Sequence, residues 1–139
     1  HQDEAYAANG HDGAASKSRN AGESVCALWL ALSHADARSG CLRFVPSLGS
    51  SLLPHERLPR EQAPSGFEHF LTRGSEAEAA AERQFVSVPV RPGDAVVIGG
   101  RVVHGSHAAL DGERVAFSPL YEWNALDPES GVGRVSASA

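Results

Sequence analysis

From residue 85 onward the chain reads as short apolar runs cut by turn residues: FVSVPV, RPGD, AVVI, GG, RVVH and, after a polar loop, RVAFSPLYEW at 114–123. Runs this short and this rich in valine suit strands and cannot supply the turns of a helix long enough to bury one face. The reading is therefore a chain of strands. FVSVPV (85–90) alternates, and Pro89 confines it to an edge or a bulge because proline has no ladder N–H. Gly99-Gly100 is expected to close a tight hairpin between AVVI and RVVH, where a positive φ is tolerated. Residues 114–123 form the last strand.

The first half fits the same class. VCALWLAL (25–32) is apolar on both alternating faces and predicts a strand buried on both sides. CLRFV (41–45) is the returning strand of a hairpin around the loop 33–40, which would set Leu32 opposite Cys41 and leave Cys26 too far away to bridge. Four prolines in 46–64 forbid regular structure there. Ser65-x-x-Glu68 and Ser75-x-x-Glu78 are capping boxes that predict short helices near 66–73 and 76–83, with Gly74 as a stop. Residues 5–24 are small, polar and aperiodic, and read as a loop. The expected fold is all-β, a barrel or jelly roll with short helices.

Composition narrows the functions. One domain is expected of 139 residues, with a flexible tail at 125–139. A net charge of −5 without a basic run argues against nucleic acid. No apolar stretch reaches membrane-spanning length and no signal peptide is visible. The cysteines Cys26 and Cys41 are expected to be reduced, which suits an intracellular, cytoplasmic setting. The chain has no methionine, so His1 is not a translation start, and the expectation is a processed protein or a piece of a longer one. Oligomeric state is not legible.

The chemistry begins at the first residue. In His1-Gln2-Asp3 the two outer side chains share one side of an extended backbone, and together they can hold one divalent metal. Two histidines and one carboxylate make the three-ligand set of non-haem Fe(II) oxygenases, which leaves three adjacent positions open. His104 ends an apolar strand and is the candidate third ligand. His107 is its competitor, but falls past the strand. His11, His34, His55 and His69 lie in loops or polar segments and read as solvated. Arg114 shares its strand face with Ala116 and Ser118, which suits a pocket where a guanidinium grips a carboxylate with two parallel hydrogen bonds.

In that order these parts resemble the phytanoyl-CoA dioxygenase family of Fe(II)/2-oxoglutarate-dependent oxygenases. The resemblance rests on HQD, VCALWLALSHADARSGCLRFVP, VPVRPGDAVVIGGRVVHGS and the arginine of GERVAFSPLY, and it covers most of 1–123. It implies a double-stranded β-helix (jelly-roll) core. It implies Fe(II) on His1, Asp3 and His104, 2-oxoglutarate as cosubstrate with its distal carboxylate on Arg114, and Ser106, Trp29 and Gln2 along the cosubstrate pocket. The implied reaction takes a small organic substrate, O2 and 2-oxoglutarate, and yields a hydroxylated product, succinate and CO2. Asp3 favours hydroxylation over halogenation, since related halogenases carry a small residue in its place.

The chain departs from the family at Ser47-Leu48-Gly49-Ser50, where Gly-Ser-His is usual, and in the length of the loop 5–24. The family's strands and helices upstream of the first ligand have no counterpart, so an incomplete domain is expected. Expressed alone it should be poorly soluble and weakly active, with residues 25–32 the worst exposed. Two other readings compete. One is a non-catalytic or degenerate cupin-like jelly roll that binds metal or ligand. The other is a copper site in which His1 chelates through its free amine and its ring.

Overall fold

A computed structural model of the chain describes residues 1–5, 24–48, 51–63, 69–123 and 135–138. Two antiparallel sheets face each other. In the larger, β1 (Ser24–Ala31) has β6 (Ala95–Gly99) on one edge. On the other edge β9 (Leu120–Trp123) pairs with its first half and β8 (Ala116–Phe117) with its last residues. β10 (Val135–Ser138) adds to β9. The smaller sheet runs β5 (Val86–Val88), β2 (Leu42–Phe44), β7 (His104–Ser106). A separate pair, β3 (His55–Arg57) and β4 (His69–Leu71), lies beside them, so a three-residue strand fits between Pro54 and Pro59 where no regular structure is expected. This is the two-sheet, strand-rich core expected.

Alternation along β1 explains the core between the sheets. Val25, Ala27, Trp29 and Ala31 are buried, and the last three join Ile98, Leu42, Cys41, Ala35 and Val90. The opposite face is not covered by the described residues as the sequence suggested. Leu28 and Leu30 are only half-buried there. Leu32 beyond them is exposed, as are Val97, paired with Leu28, at 71% and Phe117, paired with Leu30, at 50%. A second core joins Val45, Leu71 and Val103 to Ala81 of the helix α1 (Glu76–Gln84), with Leu48, Leu53 and Phe85 against it. The helix begins where its capping box places it: the Glu78 N–H donates to Ser75 Oγ at 3.1 Å, and Gly74 at φ 72° precedes it.

Several local expectations are corrected. β1 and β2 are not a hairpin, because they belong to different sheets and each finds its partners elsewhere. Gly99-Gly100 does not close a hairpin either. Neither glycine has positive φ, the turn bond runs from Val102 N–H to the Gly99 carbonyl at 2.9 Å, and the chain crosses there from one sheet to the other. Gly100 is needed for close approach instead: a Cβ on it would lie 2.7 Å from the Val25 carbonyl oxygen. The last strand is broken at Pro119, which cannot donate, although its carbonyl still accepts from the Leu28 N–H at 3.1 Å. Of the helix expected at 66–73, residues 69–71 are strand β4, and 64–68 lie outside the described residues. β10 takes up the backbone groups along the edge of β9 that β1 leaves free. Pro89 does follow an edge strand, β5, and both cysteines are free thiols. Residues 6–23, most of the expected loop, and residues 124–134 and 139 lie outside the described residues. Among the described residues no helix is long and apolar enough to cross a membrane.

Candidate metal centre

The smaller sheet is extended by the first residues of the chain. The His1 amino group donates to the His104 carbonyl at 2.9 Å, and the His104 N–H donates to the His1 carbonyl at 3.0 Å. This lays His1 along the edge of β7 that β2 leaves free. The chain then turns, with the Ala5 N–H on the Gln2 carbonyl at 3.1 Å, and the Glu4 N–H donates to the Gly100 carbonyl at 2.9 Å. Glu4 also pairs with Arg101 through two bonds of 2.6 and 3.0 Å, which ties the turn to the crossover between the sheets.

The turn brings the Asp3 carboxylate over both imidazoles. Asp3 Oδ1 lies 3.3 Å from His1 Nε2 and 3.5 Å from His104 Nε2, and one ligand atom of each residue falls within 4.8 Å of the others. The two rings meet edge to face at 4.4 Å. Donors bound at about 2.1 Å on one face of an octahedron stand roughly 3 Å apart, so a divalent cation fits with small adjustments. His104 Nδ1 donates to the Val102 carbonyl at 2.9 Å, which leaves Nε2 as the lone-pair nitrogen facing Asp3. Burial pushes the His104 pKa down, His1 pushes the same way and Asp3 opposes. The neutral imidazole so favoured is the form a metal requires. Phe44 stacks on the His104 ring at 6.0 Å between centroids.

Arg114, Ser106 and Trp29 also converge. Arg114 Nη1 donates to Ser106 Oγ at 2.8 Å and to the Gly40 carbonyl, and the guanidinium lies 5.4 Å above the Trp29 ring. Ser106 and His104 are two residues apart on β7 and share a face, so this cluster and the three ligands stand roughly 7 Å apart along one strand. Burial lowers the Arg114 pKa, but a guanidinium keeps its charge at any ordinary pH.

Gln2 does not join that cluster. Its fully buried amide is taken up by main chain: Nε2 donates to the Ser51 and Arg101 carbonyls, and Oε1 accepts from the Leu53 N–H. The expected cosubstrate contact is replaced by a structural one, because the turn that delivers Asp3 sends Gln2 the other way. His55 and His69 are not solvated either. His69 is buried, and His55 is half-buried with both ring nitrogens engaged, by the Gln2 N–H and the Leu53 carbonyl. No local pattern marks His55, since its partner lies 53 positions away. His34 is exposed beside Asp36, and His107 meets Ser87 Oγ at 2.7 Å, away from the ligands. His11 lies outside the described residues.

A family model described as phytanoyl-CoA dioxygenase (PhyH) matches residues 1–114. The chain is similar to phytanoyl-CoA dioxygenase domain-containing protein 1 of Rattus norvegicus, 38% identical over 97 residues, 68% of this chain and 32% of that protein. It is 31% identical over 84 residues to the Danio rerio protein of the same name, covering 60% of this chain and 28% of that one. The chain thus spans about a third of the length of these curated relatives. Among solved structures it is similar to EvdO2 from Micromonospora carbonacea var. aurantiaca, also solved complexed with 2-oxoglutarate. The two match with TM-score 0.61, at 25% and 26% identity, over 94% of this chain and 48% of EvdO2. The epimerase SnoN, solved with Fe3+, alpha ketoglutarate and nogalamycin RO, matches with TM-score 0.51 at 26% identity, over 74% of this chain and 36% of that one. These likenesses identify the two-sheet core as the jelly roll of the Fe(II)/2-oxoglutarate oxygenases.

Proposed function

The chain belongs to the phytanoyl-CoA dioxygenase family, and from that membership we propose that it is an Fe(II)- and 2-oxoglutarate-dependent dioxygenase. It would hydroxylate a C–H bond of a small organic substrate, with residues 1–124 as its catalytic core. The observation that carries this reading is the shared face of β7. Three metal-type ligands converge at one end of it and a cation with a hydroxyl at the other.

On this reading His1, Asp3 and His104 hold the iron from one side, and their single carboxylate leaves the site with net positive charge for an anionic keto acid. Bound there, Fe(II) with 2-oxoglutarate and O2 would supply oxidative decarboxylation to succinate and CO2 and the transfer of one oxygen atom to the substrate. The Val102 carbonyl holds His104 in the tautomer that offers Nε2. Arg114 receives the distal carboxylate, with Ser106 fixing the guanidinium and Trp29 backing it. The complexes of EvdO2 with 2-oxoglutarate and of SnoN with Fe3+ and alpha ketoglutarate support the choice of metal and cosubstrate. The free thiols of Cys26 and Cys41 favour a reducing, cytoplasmic setting.

The test is anaerobic loading with Fe(II) and 2-oxoglutarate followed by exposure to O2. Succinate release that requires both Fe(II) and O2 is the expected result. Stoichiometric binding of both without succinate would make the chain a ligand-binding jelly roll instead.

A further inference from the structure

We infer that His55 is a positioning residue of the metal centre, clamping the main chain between the two ligands His1 and Asp3. The inference rests on the reading that these residues and His104 hold a divalent metal.

Gln2 is the residue on which both ligands hang, and it is held at every polar atom described. Its N–H donates to His55 Nε2 at 3.2 Å. The nitrogen that accepts must carry the lone pair, so the ring proton sits on Nδ1, which donates to the Leu53 carbonyl at 2.8 Å. The Leu53 N–H returns a bond to Gln2 Oε1 at 2.8 Å, and Gln2 Nε2 reaches the Ser51 carbonyl at 2.9 Å. Residues 51–55 thus close around Gln2 by main chain and side chain together. The backbone that carries the ring is anchored in turn. His55 opens β3 and is in register with Leu71 of β4, which belongs to the second core with Leu53 and Val103, the neighbour of His104. The small β3–β4 sheet acquires a purpose: it carries an acceptor to the one backbone N–H between two ligands.

His55 cannot be a fourth ligand in this arrangement, since both of its nitrogens are occupied. Its effect is on geometry. With Gln2 unpinned, the turn that brings Asp3 within reach of both imidazoles loses its fixed point. Outer partners that orient ligands are worth roughly 10–100-fold in metal affinity, and His55 should fall in that range.

The test uses Co(II) as the probe on the metal-free chain, titrated spectroscopically, in wild type, His55→Phe and His55→Gln. His55→Phe keeps the ring's bulk and removes the acceptor, and it should weaken Co(II) binding by roughly 10–100-fold. His55→Gln retains an oxygen that accepts from the Gln2 N–H and should stay within about threefold of wild type, well short of that loss. Equal Co(II) affinity in His55→Phe, or an equal loss in both variants, would overturn the inference. If His55→Phe does not melt cooperatively, nitrogen NMR of the wild-type imidazole decides: Nε2 unprotonated and bonded to the Gln2 amide supports the clamp, and a protonated Nε2 refutes it. A wild-type chain that binds no Co(II) would remove the metal reading itself and the clamp with it. Wild-type binding with an unaffected His55→Phe would remove the clamp alone.

Discussion

Replacing Arg114 by lysine tests the cosubstrate end of the site without disturbing its charge. In the structure both bonds of the guanidinium, to the Gly40 carbonyl and to Ser106 Oγ, are made by Nη1. That leaves the planar edge formed by the other nitrogens to receive a carboxylate with two parallel bonds. A lysine ammonium has three N–H groups on one atom. If two of them take over Gly40 and Ser106, one remains for the ligand. The substitution therefore removes one charge-assisted hydrogen bond, about 2 kcal/mol, or roughly 30-fold in affinity. The stack over Trp29 also weakens, because an ammonium has no plane to lay against the ring. Calorimetry of 2-oxoglutarate binding to anaerobic, Co(II)-loaded protein reads the loss, and Co(II) titration of the same samples provides the control. Weaker 2-oxoglutarate binding with unchanged Co(II) binding is expected. Affinity for 2-oxoglutarate within about threefold of wild type, far from the loss derived above, would show that Arg114 does not grip the cosubstrate.

Other consequences follow from the same geometry. Asp3→Ala removes the only carboxylate among the three ligands and should reduce Co(II) affinity beyond the roughly 100-fold ceiling of outer partners; a smaller loss in the titration would remove Asp3 from the ligand set. His55 and His104 both have pKa values lowered from 6.5, chiefly by burial. The unfolded chain therefore binds protons that the folded one refuses, so metal-free stability should be full above about pH 6.5 and fall as pH drops below it. Melts across about pH 5 to 8 would contradict this if the midpoint rose on acidification. Gly100→Ala would drive a Cβ to 2.7 Å from the Val25 carbonyl oxygen, and should destabilise the chain by about 1–3 kcal/mol in denaturant titrations. A neutral result would mean that the crossover there yields easily.

His1, Asp3 and His104, which the structure brings together, are legible because metal ligation restricts residue type. Ligands must be imidazole or carboxylate, and strand alternation says which neighbours share a face. The strands themselves were legible from period-two runs and turn residues, and the helix from its capping box. What the sequence did not decide was pairing. Alternation assigns each strand a buried face and is silent about its partner, so VCALWLAL looked like half of a hairpin with CLRFV although the two lie in opposite sheets. The same silence hid the real demand on Gly100, which is contact with Val25 from a distant strand rather than a positive φ. Gln2 and His55 show the limit most clearly. Read locally, one suits the cosubstrate pocket and the other solvent, because hydrogen bonds between residues 53 positions apart exist only once the chain has folded. Residue types and short-range periodicity determine which groups can do chemistry. Long-range backbone closure determines which of them are held where that chemistry can occur.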